Sequence, residues 1–181
     1  FRTLWDKGLI YEGFRVLAYC WRCETPLSNT ETRMDDVYRD RQDPALTVSF
    51  QLETGEKILA WTTTPWTIPS SQAISIGAEL EYSLVQCQSE DGPIRLICSS
   101  VLVESVLSRL KLTEYSILAS CAGQALENII TKHPIYDREI PVLLGDHVTT
   151  DAGTGCVHTA PDHGVEDFVV AAKYGIGTLN Y

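Results

Sequence analysis

The chain has 181 residues, 44% of them apolar and 21% charged, an ordinary globular mixture that argues against extensive disorder and suits a single compact domain. Lysine and arginine total 14 against 24 acidic side chains, for a formal charge of −10, so bulk electrostatics cannot drive tight binding to a polyanion and any nucleic-acid partner has to be delivered by something else. No apolar run approaches the roughly 18–20 residues that a bilayer-spanning helix needs, and no basic patch with an apolar stretch and cleavage site marks a secretory signal.

At the start, Phe1, Leu4 and Trp5 fall at helical spacing and Gly8 stops the pattern. No capping residue precedes Phe1, which leads to the expectation of a segment cut from a larger chain. The charged stretch 33–43 reads as a solvated loop. Leu46–Leu52 alternates apolar and polar as a half-buried strand does, Glu53-Thr54-Gly55-Glu56 supplies turn chemistry, and Lys57–Trp61 returns as a second strand. Strands are expected at Ala73–Ile76, Tyr82–Cys87 and Ile94–Cys98, the last two joined by a Ser89–Pro93 turn. Ser99-Ser100 can cap a helix over Val101–Leu110, and further strands are expected at Tyr115–Ala119 and Ile140–Leu144. Val165–Tyr174 reads as a short helix stopped by Gly175. Short, frequent strands with few helices imply a mixed α+β domain around an antiparallel sheet or barrel.

Three stretches could carry chemistry. In Trp61-Thr62-Thr63-Thr64-Pro65-Trp66-Thr67, Pro65 ends the strand ladder and leaves hydroxyls and backbone N–H groups facing open space. In the stretch 151–167, Gly153 and Gly155 would let a backbone approach a ligand closely, but neither the Rossmann glycine spacing nor a Walker lysine is present. His158, His163 and Asp167 are spaced so that metal ligation is allowed, yet they match no zinc signature, and Asp167 has a simpler role at a helix N-terminus. Cys20-Trp21-Arg22-Cys23 is half of a zinc site with no second pair in this chain. The six cysteines are too few and too unevenly spaced for a disulfide scaffold, so reduced thiols in the cytoplasm are expected.

The threonine peptide and the segment Gly153-Thr154-Gly155-Cys156-Val157-His158-Thr159-Ala160-Pro161 through Asp167-Phe168 together resemble the two signature peptides of the editing domain of isoleucyl-tRNA synthetases, a connective-peptide insertion in class I aminoacyl-tRNA synthetases. Thr64 and His158 favour the isoleucyl branch over the leucyl and valyl ones. The resemblance covers nearly the whole chain, with residues 1–30 as the lead-in from the parent enzyme.

What the resemblance implies is an antiparallel β-barrel-like core with a few peripheral helices, residues 1–181 forming one editing domain. It also implies a hydrolase that removes valine from mischarged tRNA(Ile), with removal at the earlier valyl-adenylate stage as a further activity, within an isoleucine–tRNA ligase. By resemblance Thr63, Thr64 and Asp167 are catalytic, Asp167 holding the substrate α-ammonium and the two threonines contacting substrate and attacking water. Thr67 and His158 line the side-chain pocket, and Trp61, Thr62, Gly155 and Ala160 complete the substrate-binding surface. Ser71 and Asp162 depart from the residues usual in the family. The implied partners are the 3′ CCA end of tRNA(Ile) carrying valine and the remaining synthetase domains, with no membrane and a monomeric fragment. Editing needs no cofactor. Cys20 and Cys23 would share a structural zinc with sequence outside this chain, and ATP would serve only the parent's separate synthetic site.

Overall fold

Runs of alternating apolar residues separated by turn chemistry become strands through most of the chain; the computed structural model describes residues 1–179. It divides into two compact units between Asp40 and Arg41, inside the charged stretch, which has too few apolar side chains to join a core. The first unit covers residues 1–40 and contains the span expected as the lead-in, 1–30.

In the first unit, α1 (Arg2–Asp6) lacks a side-chain cap. A hairpin of β1 (Tyr19–Cys20) and β2 (Thr25–Pro26) pairs Tyr19 with Pro26. The backbone N–H of Cys23 donates to Cys20 Sγ at 3.4 Å across its turn. A 3₁₀ turn at Glu31–Arg33 follows, where the Ser28 N–H donates to the Glu31 carboxylate and the Glu31 N–H to Ser28 Oγ, a reciprocal capping box.

The second unit holds nine strands: β3 (Leu46–Leu52), β4 (Lys57–Thr62), β5 (Ala73–Ile76), β6 (Glu81–Ser89), β7 (Gly92–Ser99), β8 (Tyr115–Ala122), β9 (Ile130–Lys132), β10 (Glu139–Leu144) and β11 (Cys156–Thr159). Their order across the sheet is β11-β5-β10-β9-β3-β4-β7-β6-β8. The expected α+β class and sheet-dominated core are seen, but the sheet is mixed. β4 runs parallel to β7 (Ile58 beside Ile97) and β5 parallel to β10 (Ile74 beside Val142). Alternation of apolar residues reports which face is buried and says nothing about strand direction, so these two pairings depart from the antiparallel pattern expected of the core. The end strands β11 and β8 do not pair with each other, so the sheet is not a closed barrel. It curls nonetheless, and β11 comes to lie against β4.

Cores fill both faces of the sheet. Phe50, Ile58, Ala60, Ile74, Ile76, Tyr82 and Val142 pack on one side. On the other, Leu59, Val85, Leu96 and Cys98 receive α2 (Val103–Arg109) through Val103, Val106 and Leu107. Successive residues of β4 thus enter different cores, which is why Ile58, Leu59 and Ala60 are all buried. The helix α3 (Val165–Lys173) docks Val170 on Ala73 and Leu143, fixing its N-terminus beside the end of β11.

Candidate functional site

The threonine peptide begins in β4 and leaves it at Thr62. Pro65 opens a 3₁₀ turn over Pro65–Ser70, with the Thr67 N–H donating to the Thr64 carbonyl at 3.0 Å. The Thr64 N–H donates to Thr62 Oγ1 at 3.0 Å, and the Thr67 hydroxyl donates to the Thr64 carbonyl at 2.7 Å. Thr62 and Thr67 are buried by this folding, while Thr63 and Thr64 stay exposed on the cavity side. Two residues that the sequence reading missed hold the turn from behind. His133 Nε2–H donates to the Ile68 carbonyl at 2.9 Å, while His133 Nδ1 accepts the N–H groups of Ile135 and Tyr136, each at 3.1 Å. Arg138 donates to the carbonyls of Pro69 and Ser71. Ser71 itself is fully buried with its hydroxyl toward the Ala73 carbonyl, so the family departure there points away from the site.

β11 delivers His158 opposite the threonines. Its Nε2 lies 3.1 Å from Thr67 Oγ1 and 3.4 Å from Thr62 Oγ1. Because the Thr67 proton is directed at Thr64, the Thr67 oxygen accepts, and His158 carries its proton on Nε2. Its Nδ1 is buried with no partner among the described residues. Desolvation, then the proximity of His163 and His133, push its pKa down to about 4, so the ring is neutral at neutral pH. No carboxylate orients that ring, and the Thr67 proton is already engaged, so the group is not a nucleophile–base–acid triad.

The glycine loop before β11 is bound to the sheet. Tyr82 donates to the Gly155 carbonyl at 2.6 Å, the Ser99 N–H to the Thr154 carbonyl at 2.9 Å, and Arg109 to the Gly153 carbonyl at 2.7 Å. Gly155 has φ +73°, and a Cβ there would sit 2.4 Å from the Ser99 Cβ. Its glycine serves close packing against β7, and it does not line the cavity where the sequence reading puts it.

Asp167 stands in the first turn of α3. Its Oδ2 accepts the Ala160 N–H at 2.9 Å, and its Oδ1 faces His147 Nε2 at 3.9 Å. Burial raises its pKa, opposed by the Ala160 hydrogen bond and by His147 and His163. Asp162, the second departure from the family, accepts the Leu179 N–H at 2.7 Å and does not line the cavity described below.

These elements enclose an open cavity of about 400 Å³ lined by Trp61, Thr62, Thr63, Thr64, Trp66, Thr67, Val157, His158, Ala160, His163 and Asp167. Its size and mix of polar and apolar walls suit a small ligand group. The residues named for the site from sequence meet here except Gly153, Gly155 and the cysteine pair, the last of which belongs to the other unit. Trp66 and Val157 were not singled out; an aromatic and a β-branched residue flanking motif positions were the available signal. Among the described residues, no group of three or more His, Cys, Asp or Glu, His158, His163 and Asp167 included, is arranged to hold a metal. No described helix is long and apolar enough to cross a membrane.

Residues 42–180 match the family model described as leucyl-tRNA synthetase, editing domain. Similar curated proteins are isoleucine–tRNA ligases: that of Bacillus subtilis, 41% identical over 99% of this chain and 19% of its own length; that of Hahella chejuensis, 49% identical over 96% and 20%; and that of Teredinibacter turnerae, 59% identical over 68% and 13%. The chain thus spans about a fifth or less of these relatives. Among solved structures, the cytosolic leucyl-tRNA synthetase editing domain of P. knowlesi superposes with a TM-score of 0.60 at 13% identity, covering 72% of this chain and 62% of that one. That of P. falciparum gives 0.54 at 16% identity, covering 62% and 44%. At such identities the likeness is one of fold. The family resemblance read from the two signature peptides is borne out.

Proposed function

The chain belongs to the family of leucyl-tRNA synthetase editing domains, and from that premise we propose that its cavity hydrolyses the ester of valyl-tRNA(Ile) within an isoleucine–tRNA ligase. The observation that supports this reading is the Asp167 carboxylate opening on the same cavity as the threonine hydroxyls. A half-buried carboxylate with Oδ2 accepting the Ala160 N–H keeps lone pairs for an ammonium, a charge-assisted contact that orients the substrate.

The ester carbonyl then lies along Thr63 and Thr64, whose hydroxyls orient a water and stabilise the developing oxyanion. Water attacks the carbonyl carbon, the carbon–ribose oxygen bond breaks, the ribose oxygen takes a proton, and free valine leaves. With His158 neutral and its proton directed at Thr67, no side chain is set up as a strong base, so the vicinal hydroxyl of the terminal adenosine positions the water. Thr67, His158, Trp61, Thr62 and Ala160 form the wall that admits valine and crowds isoleucine. Such a second sieve is needed because one methylene is worth only about 1–3 kcal/mol in a pocket, the isoleucine–valine pair being the standard example. Valyl-adenylate offers the same ammonium and is a second substrate of the same site.

The reading carries its partners with it: the CCA end of tRNA(Ile), the other ligase domains, and a cytoplasmic setting in which thiols stay reduced. Cys20 and Cys23 would supply half of a tetrahedral zinc site. Backbone N–H groups of Cys23 and Arg22 lower the Cys20 pKa, which favours a thiolate ligand, and the other two ligands would come from outside this chain.

The deciding experiment is deacylation of Val-tRNA(Ile) by the intact ligase with Asp167→Asn. Loss of deacylation with isoleucine attachment intact is expected; an unchanged deacylation rate would overturn the reading.

A further inference from the structure

His147 lies in the loop after β10, outside both signature peptides, and its imidazole is largely buried. The ring lies over Gly145: a Cβ at Gly145 would come within 2.7 Å of His147 Cε1. Gly145 is itself anchored through its N–H to the Ile76 carbonyl at 2.9 Å. The backbone glycine thus makes the room that lets the ring reach toward α3. His147 Nε2 is shielded from solvent and has no hydrogen-bond partner among the described residues. The acceptor it faces is Asp167 Oδ1, at 3.9 Å, inside ion-pair range and just beyond a hydrogen bond.

A buried donor left without a partner costs stability, so a short approach that closes this gap is favoured. Asp167 Oδ2 is already held by Ala160. A second donor on Oδ1 would fix the carboxylate plane while leaving a lone pair of each oxygen toward the cavity, since an ionised carboxylate accepts about four hydrogen bonds.

We propose that His147 is a positioning residue for editing, holding the Asp167 carboxylate turned toward the cavity so that it meets the substrate ammonium. This rests on the proposed role of Asp167. His147 touches no substrate; it acts through Asp167. Besides His147, the charged and titratable groups facing Asp167 are His163 on the preceding loop and Glu166 beside it on α3. Removing the imidazole leaves His163 to oppose burial and Glu166 to reinforce it.

The test compares His147→Leu and His147→Gln in the intact ligase, with Val-tRNA(Ile) as substrate and isoleucine attachment as the fold control. His147→Leu is expected to raise KM for deacylation about tenfold, the size of losing a hydrogen bond to a charged group, with a smaller change in kcat. The acid limb of kcat/KM should move to higher pH, because burial then raises the Asp167 pKa with less opposition. His147→Gln, which keeps a donor, should restore KM and the profile. An unchanged KM and pH profile in His147→Leu overturns the proposal, as does a His147→Gln variant equally defective, which would mark a packing role. If His147→Leu fails to fold, His147→Gln with unaltered kinetics against a KM defect in His147→Ala still decides it. Asp167→Asn, run alongside, separates the two levels: retained deacylation there sinks the reading of the site, whereas its loss with silent His147 variants sinks only this inference.

Discussion

At the scale of single residues, His158 is the most constrained group in the cavity. Its neutral ring donates to Thr67 and presents an unpartnered Nδ1 to the protein interior. Truncation to alanine removes the wall without removing the anchor at Asp167. His158→Ala is therefore expected to hydrolyse Ile-tRNA(Ile) as well as Val-tRNA(Ile), measured as deacylation of both; continued protection of the isoleucyl ester would show that His158 does not set the size limit. The same burial makes stability depend on pH. The folded pKa of about 4 lies below the unfolded value of 6.5, so the unfolded chain binds the extra proton between them. Stability is full above the unfolded value and falls as pH drops through that window, by on the order of 3 kcal/mol. His133, also shifted down by burial, acts in the same direction. Urea unfolding midpoints followed from pH 7 to pH 4 should fall, and fall less in His158→Gln; equal slopes for the two proteins would rule out His158 as the source.

At the scale of elements, the 3₁₀ turn over Pro65–Ser70 depends on partners distant in sequence. His133→Phe keeps an aromatic ring but strands the Ile68 carbonyl and the N–H groups of Ile135 and Tyr136. A loss of about 1–3 kcal/mol in chemical denaturation, together with slower deacylation, is expected; full stability would mean that water replaces the imidazole. The glycine loop makes a second element-level prediction. Gly155→Ala meets both the Ser99 Cβ and a left-handed backbone, costing about 1–2 kcal/mol for the backbone alone. Adding Ser99→Gly should recover the steric share and leave the backbone share, as read from thermal melts of the single and double variants. These elements also show what the sequence discloses. The spans Leu46–Leu52 and Ala73–Ile76 coincide with strands, because alternation or an unbroken apolar run is itself a statement about burial. The threonine row and Asp167 were legible as motif positions. His133, Arg138 and His147 were not, since a single polar residue in a loop has no local pattern and gains meaning only from the backbone it meets. Gly155 was misjudged for a related reason: a positive φ and a close neighbour look the same in sequence whether that neighbour is ligand or protein.

At the scale of the molecule, and on the proposed function, the charge of −10 would separate recognition of the ester from capture of the nucleic acid. With few cations to displace from phosphates, the 181-residue chain alone should bind full-length tRNA weakly and with a shallow salt dependence, while a non-hydrolysable valyl-adenosine analogue still binds; calorimetry at two salt concentrations checks both. Tight, steeply salt-dependent tRNA binding by this chain would contradict that division. The direction of β4 beside β7, and of β5 beside β10, was not legible because parallel pairing depends on how long connections cross the sheet. That same path has a consequence for biosynthesis. The hydroxyl row begins at the end of β4 and runs into the turn after it, whereas its imidazole and carboxylate partners arrive with β11 and α3, almost a hundred residues later. A ribosome making this protein therefore completes the hydroxyl half long before the half that gives it something to grip, and on the proposed function a nascent or prematurely terminated product would be inert toward esters. Proofreading competence would then be, in this architecture, a certificate of finished folding.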